Sequence, residues 1–425
     1  MNEQKIKGMF WGAITGDAIG TPLDGLSKAH LHSVFKNIES YLDPTPALKN
    51  KPENWKKPCL YSAISQFMLL LSMFLFSFKR PDPREFTEYI SRSLSEGDNE
   101  LGIFRHPAVM EKYFIKKIKS QAANSGDALF SVPSANLAVL MTPFVLSPPQ
   151  NETHIEQLLS FSLMLNRDVH STAGTLIFNA LLADILGKES LPERESILAS
   201  AITSSNSLLK NAEKLMPRIF DLGINPDYLL ASIKDYITIF SNIININDID
   251  SSEKTIINYV NLKIKTPVTR ATVNHPLAII PFAAYLSNYY MDDSLNAIFH
   301  AAESGGSTSV FCALVGALNG AMYGLDTLPE NLINELVNKK KITTMVDSLV
   351  KKKMNDELIK DFIHGEASLS AKEIQEKNAR LKHVKIKTKK QKSRSEIENR
   401  LSSHIVETWT KLDKAKWKRK KDKAQ

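Results

Sequence analysis

Two cysteines, Cys59 and Cys312, are all that 425 residues contain. That scarcity excludes a disulfide scaffold and any Cys-rich zinc module, and it makes a reducing, cytoplasmic setting the expectation. Gly-rich phosphate loops of the dinucleotide or Walker type are absent, as is a Gly-x-Ser-x-Gly elbow. The ten histidines are scattered, and His30 and His32 stand in a loop-like stretch with no third ligand nearby, so no zinc site is expected. The opening Met1-Asn2-Glu3-Gln4-Lys5 is polar and mixed in charge, unlike a secretory signal. What is present is ordinary for a globular chain: 43% hydrophobic and 24% charged residues. Collagen-like, mucin-like and wholly disordered classes are thereby excluded.

The net charge of +8 is unevenly placed. Residues 371–425 hold 19 Lys+Arg against 7 Asp+Glu, a net of +12, which leaves residues 1–370 at −4. A mildly acidic body therefore precedes a strongly basic end, and any anionic partner is expected to meet that end.

The body reads as helix. Small and apolar residues from Met9 to Ile19 permit a close-packed first helix, stopped by Gly20, Thr21 and Pro22. Cys59–Phe78 runs 20 residues without charge between Lys56-Lys57 and Lys79-Arg80. By length and flanks it could span a bilayer. Two further charge-free runs, Phe130–Gln150 and Gly305–Leu325, are interrupted by Pro, Gly and Asn, which favours a large all-α core over a membrane protein. Helical periodicity continues over Ile155–Leu186 and Tyr228–Phe240. Residues 241–265 read as a connection or insertion, with strand-like alternation at Tyr259–Thr266. Leu295–Tyr323 reads as helix, Gly-Gly turn, helix, with small residues Ala313, Gly316, Ala317, Gly320 and Ala321 positioned for close approach by another helix. The expected organisation is an all-α domain over 1–345, a charged linker over 346–394, and a basic amphipathic helix over 395–425. In that last segment Ile397, Leu401, Ile405, Trp409 and Leu412 form one apolar stripe. Such a tail suits a protein partner, an anionic surface or an RNA backbone.

Two segments carry a resemblance. Gly12-Ala13-Ile14-Thr15-Gly16-Asp17-Ala18-Ile19-Gly20-Thr21-Pro22-Leu23-Asp24 and Gly305-Gly306-Ser307-Thr308-Ser309, followed by Gly316-Ala317-Leu318-Asn319-Gly320-Ala321, resemble the ADP-ribosylglycohydrolase family of the dinitrogenase-reductase-activating type. The resemblance covers roughly residues 5–340. It implies an all-α fold, ADP-ribose as ligand, and hydrolysis of ADP-ribosyl bonds with two Mg²⁺ ions held by carboxylates.

Those carboxylates are missing at both places where the resemblance puts them. The family's Thr-Asp-Asp-Thr turn falls on Ser62-Ala63-Ile64-Ser65, and its Gly-Gly-Asp-x-Asp-Thr falls on Gly305-Gly306-Ser307-Thr308-Ser309-Val310. The Gly-Asn-Gly loop corresponds to Ser134-Ala135-Asn136. Asp24 keeps a carboxylate at the Pro-x-Glu position. This departure from the family pattern makes no metal and no cofactor the expectation, and leaves Asp24, Ser62, Ser65, Asn136, Ser307, Thr308 and Ser309 as candidate ligand-binding residues, with Asp24 the one candidate acid. Asp17 reads as an acid bonding nearby backbone or capping a helix. The function expected is that of a pseudoenzyme that binds through its cleft and its tail. A metal-independent hydrolase and a nucleic-acid-associated protein are the alternatives.

Overall fold

The computed structural model describes residues 2–48, 51–78, 81–97, 100–120, 130–147, 151–188, 196–291 and 293–382. The amphipathic segment expected over 395–425, and with it most of the basic end, lies outside the described residues. The architecture is all-α. The helices are α1 (Glu3–Gly20), α2 (Lys28–Val34), α3 (Ala63–Ser77), α4 (Pro83–Ser95), α5 (Val109–Lys119) and α6 (Asn136–Leu140). After these come α7 (Glu152–Leu165), α8 (Val169–Gly187), α9 (Ile197–Lys214), α10 (Met216–Asp221), α11 (Pro226–Ile243) and α12 (Ile249–Lys263). The series closes with α13 (Pro276–Tyr289), α14 (Ser294–Glu303), α15 (Thr308–Tyr323), α16 (Glu330–Glu335), α17 (Lys339–Val350) and a last helix, α18, over 356–382. No strand forms among the described residues; one antiparallel bridge joins Ser27 to Gly305.

The centre of the fold is the pairing of α1 with α15. Gly8, Gly12, Gly16 and Gly20 lie in turn against Gly320, Gly316, Cys312 and Thr308, so the two helices are antiparallel. A Cβ at Gly12 would fall inside the contact radius of the Gly316 carbonyl, and a Cβ at Gly316 inside that of Gly12. Glycine at four-residue spacing therefore brings backbone onto backbone, closer than the usual 8–10 Å between helix axes. Residues 8–23 of this hairpin are buried without interruption.

The charge-free run at 59–78 becomes α3, which is only 15 residues long and is buried on every side from Ala63 to Leu75. A helix apolar all round belongs in a core or a bilayer, and here protein surrounds it. Among the described residues, Val169–Gly187 alone is long and apolar enough to cross a membrane, and 72% of its apolar window is buried inside the protein.

Three expectations need correction. Residues 249–263 are helix, not connection or strand. Asp248 caps α12 through the Ser251 amide, and only Ile256, Val260 and Ser252 face inward, so the apolar period is too sparse to read. The core does not stop at residue 345 but runs to the end of α17, which buries Ile342, Met345, Val346 and Leu349. The charged linker expected over 346–394 is helical where described, at the end of α17 and through α18. α18 buries Ile359, Phe362, Ile363, Glu366 and Ser370 at helical spacing.

The described residues divide into two compact units, one within 2–47 and 56–371 and the other within 48–55 and 372–382. Within the second, the Arg380 guanidinium stacks over the buried Trp55 ring at 4.3 Å. Within the first, α18 is fixed by a buried ion pair. Arg105 Nη2 lies 2.6 Å from Glu366 Oε2, and their side chains are 2% and 0% exposed. Tyr61 Oη, Gln66 Nε2 and Asn338 Nδ2 also donate to the Glu366 carboxylate, and Arg105 Nη1 reaches Ser370 Oγ at 3.2 Å. Such full satisfaction is what a buried charge requires, since its desolvation costs several kcal/mol.

Candidate functional site

At the C-terminal end of α1 the chain must turn sharply, and two glycines on the facing strand of chain make this possible. Gly305 and Gly306 have φ of 68° and 81°, a region that side-chain-bearing residues rarely occupy. The Gly25 amide donates to Gly306 O at 2.8 Å, and the Gly306 amide donates to Leu26 O at 2.8 Å. The turn after α1 is thus stitched to the turn before α15, and Asp24, Ser307, Thr308 and Ser309 come to one corner.

Within that corner the candidates do different things. Thr308 is buried, and its hydroxyl donates to Gly20 O at 2.7 Å, closing the end of α1. Ser307 starts α15 with no side-chain capping bond, and its amide donates to Thr272 O at 2.9 Å. Ser309 Oγ donates to Asp24 Oδ1 at 3.4 Å. Lys56 Nζ lies 3.3 Å from Asp24 Oδ2. The Asp24 carboxylate, one-third exposed, is therefore held between a hydroxyl and an ammonium.

Ser62 and Ser65 sit further inward, on Asp17. This acid is wholly buried. It accepts from Thr21 Oγ1 at 2.7 Å, from Ser62 Oγ at 2.8 Å and N at 2.9 Å, and from Ser65 Oγ at 2.7 Å and N at 3.3 Å. The two amides belong to the start of α3, whose first-turn N–H groups have no partners within the helix. Burial pushes the Asp17 carboxyl above its ordinary value, while the hydroxyl and amide donors pull the other way.

Asn136 belongs to a third cluster. Its Nδ2 donates to Glu111 Oε1 at 2.6 Å, and its Oδ1 accepts from Asn274 Nδ2 at 3.0 Å. Asn274 Oδ1 in turn accepts the Ala135 amide at 2.8 Å. Glu111 is buried, its Oε2 has no hydrogen-bond partner, and desolvation raises its carboxyl, with the Asp17 charge adding to the rise. The Cys312 thiol, raised first by burial, also feels both Asp17 and Asp24. The three clusters thus share one end of the α1–α15 pair.

Sequence reasoning missed Lys56, Glu111, Asn274 and the Arg105–Glu366 pair. Lys56 was visible only as a charge flanking an apolar run. The other residues belong to no local pattern. Among the described residues no three His, Cys, Asp or Glu side chains gather as a metal-binding group would.

A helical domain built on a glycine-paired α1 and α15, with clustered polar side chains at one end of that pair, is the ADP-ribosylglycohydrolase type of fold. The family's sequence profile matches residues 2–358, and the chain belongs to the ADP-ribosylglycohydrolase family. Among solved structures, one described as an "ADP-ribosylglycohydrolase-related protein complex" superposes with a TM-score of 0.53. It is 15% identical, with 83% of this chain and 99% of that chain covered. At that identity the likeness concerns the fold. No curated protein matches this chain in sequence.

Proposed function

We propose that this chain is a non-hydrolysing member of its family, a pseudoenzyme that uses the cleft as a binding surface and its basic end to engage a partner. The observation that supports this most is the state of Asp17. Five donors converge on its two oxygens, leaving no lone pair directed at a cation. Mg²⁺ needs oxygen lone pairs in near-octahedral array, usually including carboxylates. The residues at the positions the resemblance assigns to metal ligands are Ala63, Ile64, Ser307 and Ser309. Two of them have no side-chain donor atom, and Ser309 already faces Asp24. The donor set does not fit a pair of Mg²⁺ ions.

What is left suits recognition of a neutral polyhydroxyl or nucleoside-like group. Ser307 is half-buried and has no side-chain capping bond, and Asp24 is partly exposed, whereas the Asn136 and Asn274 amides are already engaged with Glu111 and with each other. The +12 charge of residues 371–425 supports a protein, RNA or anionic-surface partner. Calorimetric titration with ADP-ribose, with and without MgCl₂, tests the reading. Binding that is indifferent to Mg²⁺, with no turnover of ADP-ribosylated substrate, is the expected result. Mg²⁺-dependent turnover would refute it.

A further inference from the structure

We infer that Lys56 is the built-in cation of the corner where the turn after α1 meets the start of α15: its ammonium supplies, from within the chain, the positive charge against which Asp24 is held. This rests on the reading above, that no divalent ion resides here.

Four observations support it. First, Asp24 precedes Gly25 and Leu26, whose two 2.8 Å backbone bonds to Gly306 fix the turn from which its side chain projects. Second, the carboxylate is engaged at both oxygens, by Ser309 Oγ and by Lys56 Nζ. Third, Lys56 is only 18% exposed at its side chain, less than a free surface lysine, so its aliphatic stem packs while its head meets the acid. Fourth, Lys56 comes from the segment that leads into Ser62 and α3, the same segment whose next residues, Ala63 and Ile64, offer no charge. One stretch of chain thus brings a cation to Asp24 while its own acidic positions are apolar.

The two acids of this corner are compensated differently. Asp17 is compensated by hydroxyls and amides, and Asp24 by an ammonium. A point charge on a flexible stem suits a partly exposed carboxylate, because it asks for no fixed coordination geometry. The Asp24 carboxylate therefore has its counter-charge within the chain.

The test is a double-mutant cycle on the full chain, with melting temperature as the readout. Lys56→Met keeps the stem and removes the charge, leaving Asp24 facing Ser309 without its counter-ion. Asp24→Asn removes the acid. The melting temperature of Lys56→Met is expected to fall. Asp24→Asn placed in that background is expected to recover part of the loss, because the unbalanced charge is gone. Losses that simply add would overturn the assignment of Lys56. Both positions are partly exposed, so each variant is expected to fold. In parallel, MgCl₂ is compared with NaCl of equal ionic strength. An Mg²⁺-specific rise in the wild-type melting temperature that Asp24→Asn abolishes would also overturn it. Additivity in the cycle removes Lys56 alone and leaves the pseudoenzyme reading standing, whereas Mg²⁺-dependent turnover by the wild type removes that reading whatever the cycle shows.

Discussion

Arg105 and Glu366 meet at 2.6 Å across 261 residues of sequence, and neither side chain reaches solvent. Glu366 lies beyond residue 358, where the family match ends. The first part of α18 is therefore structural material of the same domain. Arg105→Met should leave the Glu366 carboxylate buried without its cation, and a loss of about 3–5 kcal/mol is expected by urea denaturation. Glu366→Gln should cost less, since it drops the charge and keeps the shape. A chain ending at residue 358 should be far less stable than one ending at 382. Equal unfolding midpoints for those two chains would contradict the role assigned to α18.

A second prediction concerns the helix pair. Gly12→Ala places a methyl against the Gly316 carbonyl, backbone against backbone, where no side chain can give way. A destabilisation above about 3 kcal/mol is expected, at the upper end of overpacking costs. Gly187→Ala, where nothing lies within 4 Å of the added carbon, is the control and should be near neutral or stabilising. Comparable midpoints for the two variants would show that α1 and α15 are not in backbone contact.

The third prediction follows from Glu111. Burial raises its carboxyl above the ordinary 4.5, so the folded state holds a proton that the unfolded state has released in the window just above that value. Stability from this group is therefore complete at lower pH and declines as pH rises through the folded value. Glu111→Gln keeps the bond from Asn136 and removes the titration. Its gain in stability should be largest at neutral pH and vanish below about pH 4, where Glu is protonated in both states. A pH-independent difference between wild type and variant in denaturation midpoints would count against this.

Histidines give the opposite slope. His154 is buried edge-on to Phe144, and desolvation lowers its ring from 6.5 to about 4; His275 is lowered to about 4 by burial, then by the nearby His170. Their neutral forms are favoured in the fold, so their contribution is present above pH 6.5 and is lost as pH falls toward 4. His154→Phe should flatten the acid limb of the stability curve. An unchanged acid limb would mean that the ring is charged in the fold.

What could be read in advance follows from how local each signal is. The α1 and α14–α15 segments were legible because their glycines recur at four residues and the Gly-Gly turn lies between two apolar helices. The placement of Asp17 as a cap on neighbouring backbone was also within reach, since serines stand on both sides of the vacated acid positions. α12 was not legible, because its inward face amounts to Ile256, Val260 and a serine. Neither was α18, whose buried stripe includes Glu366 and Ser370; a charged residue at an inward position defeats hydropathy, and its partner Arg105 is far away in sequence. Lys56 and Asp24 are likewise 32 residues apart and meet only through the turns that the fold brings together.

The glycine pairing of α1 with α15 has a further property: it is self-similar. Every facing pair repeats at a step of four residues, about 6 Å along a helix axis. A slip by one turn would set Gly12 against Gly320 and Gly16 against Gly316, which sterics alone would accept. The glycines allow contact without choosing the alignment. That choice falls to the polar fastenings at one end, where Thr308 holds Gly20 and Gly25 holds Gly306. These fastenings thus have a task that is independent of any ligand: they select one alignment from a ladder of near-equivalent ones.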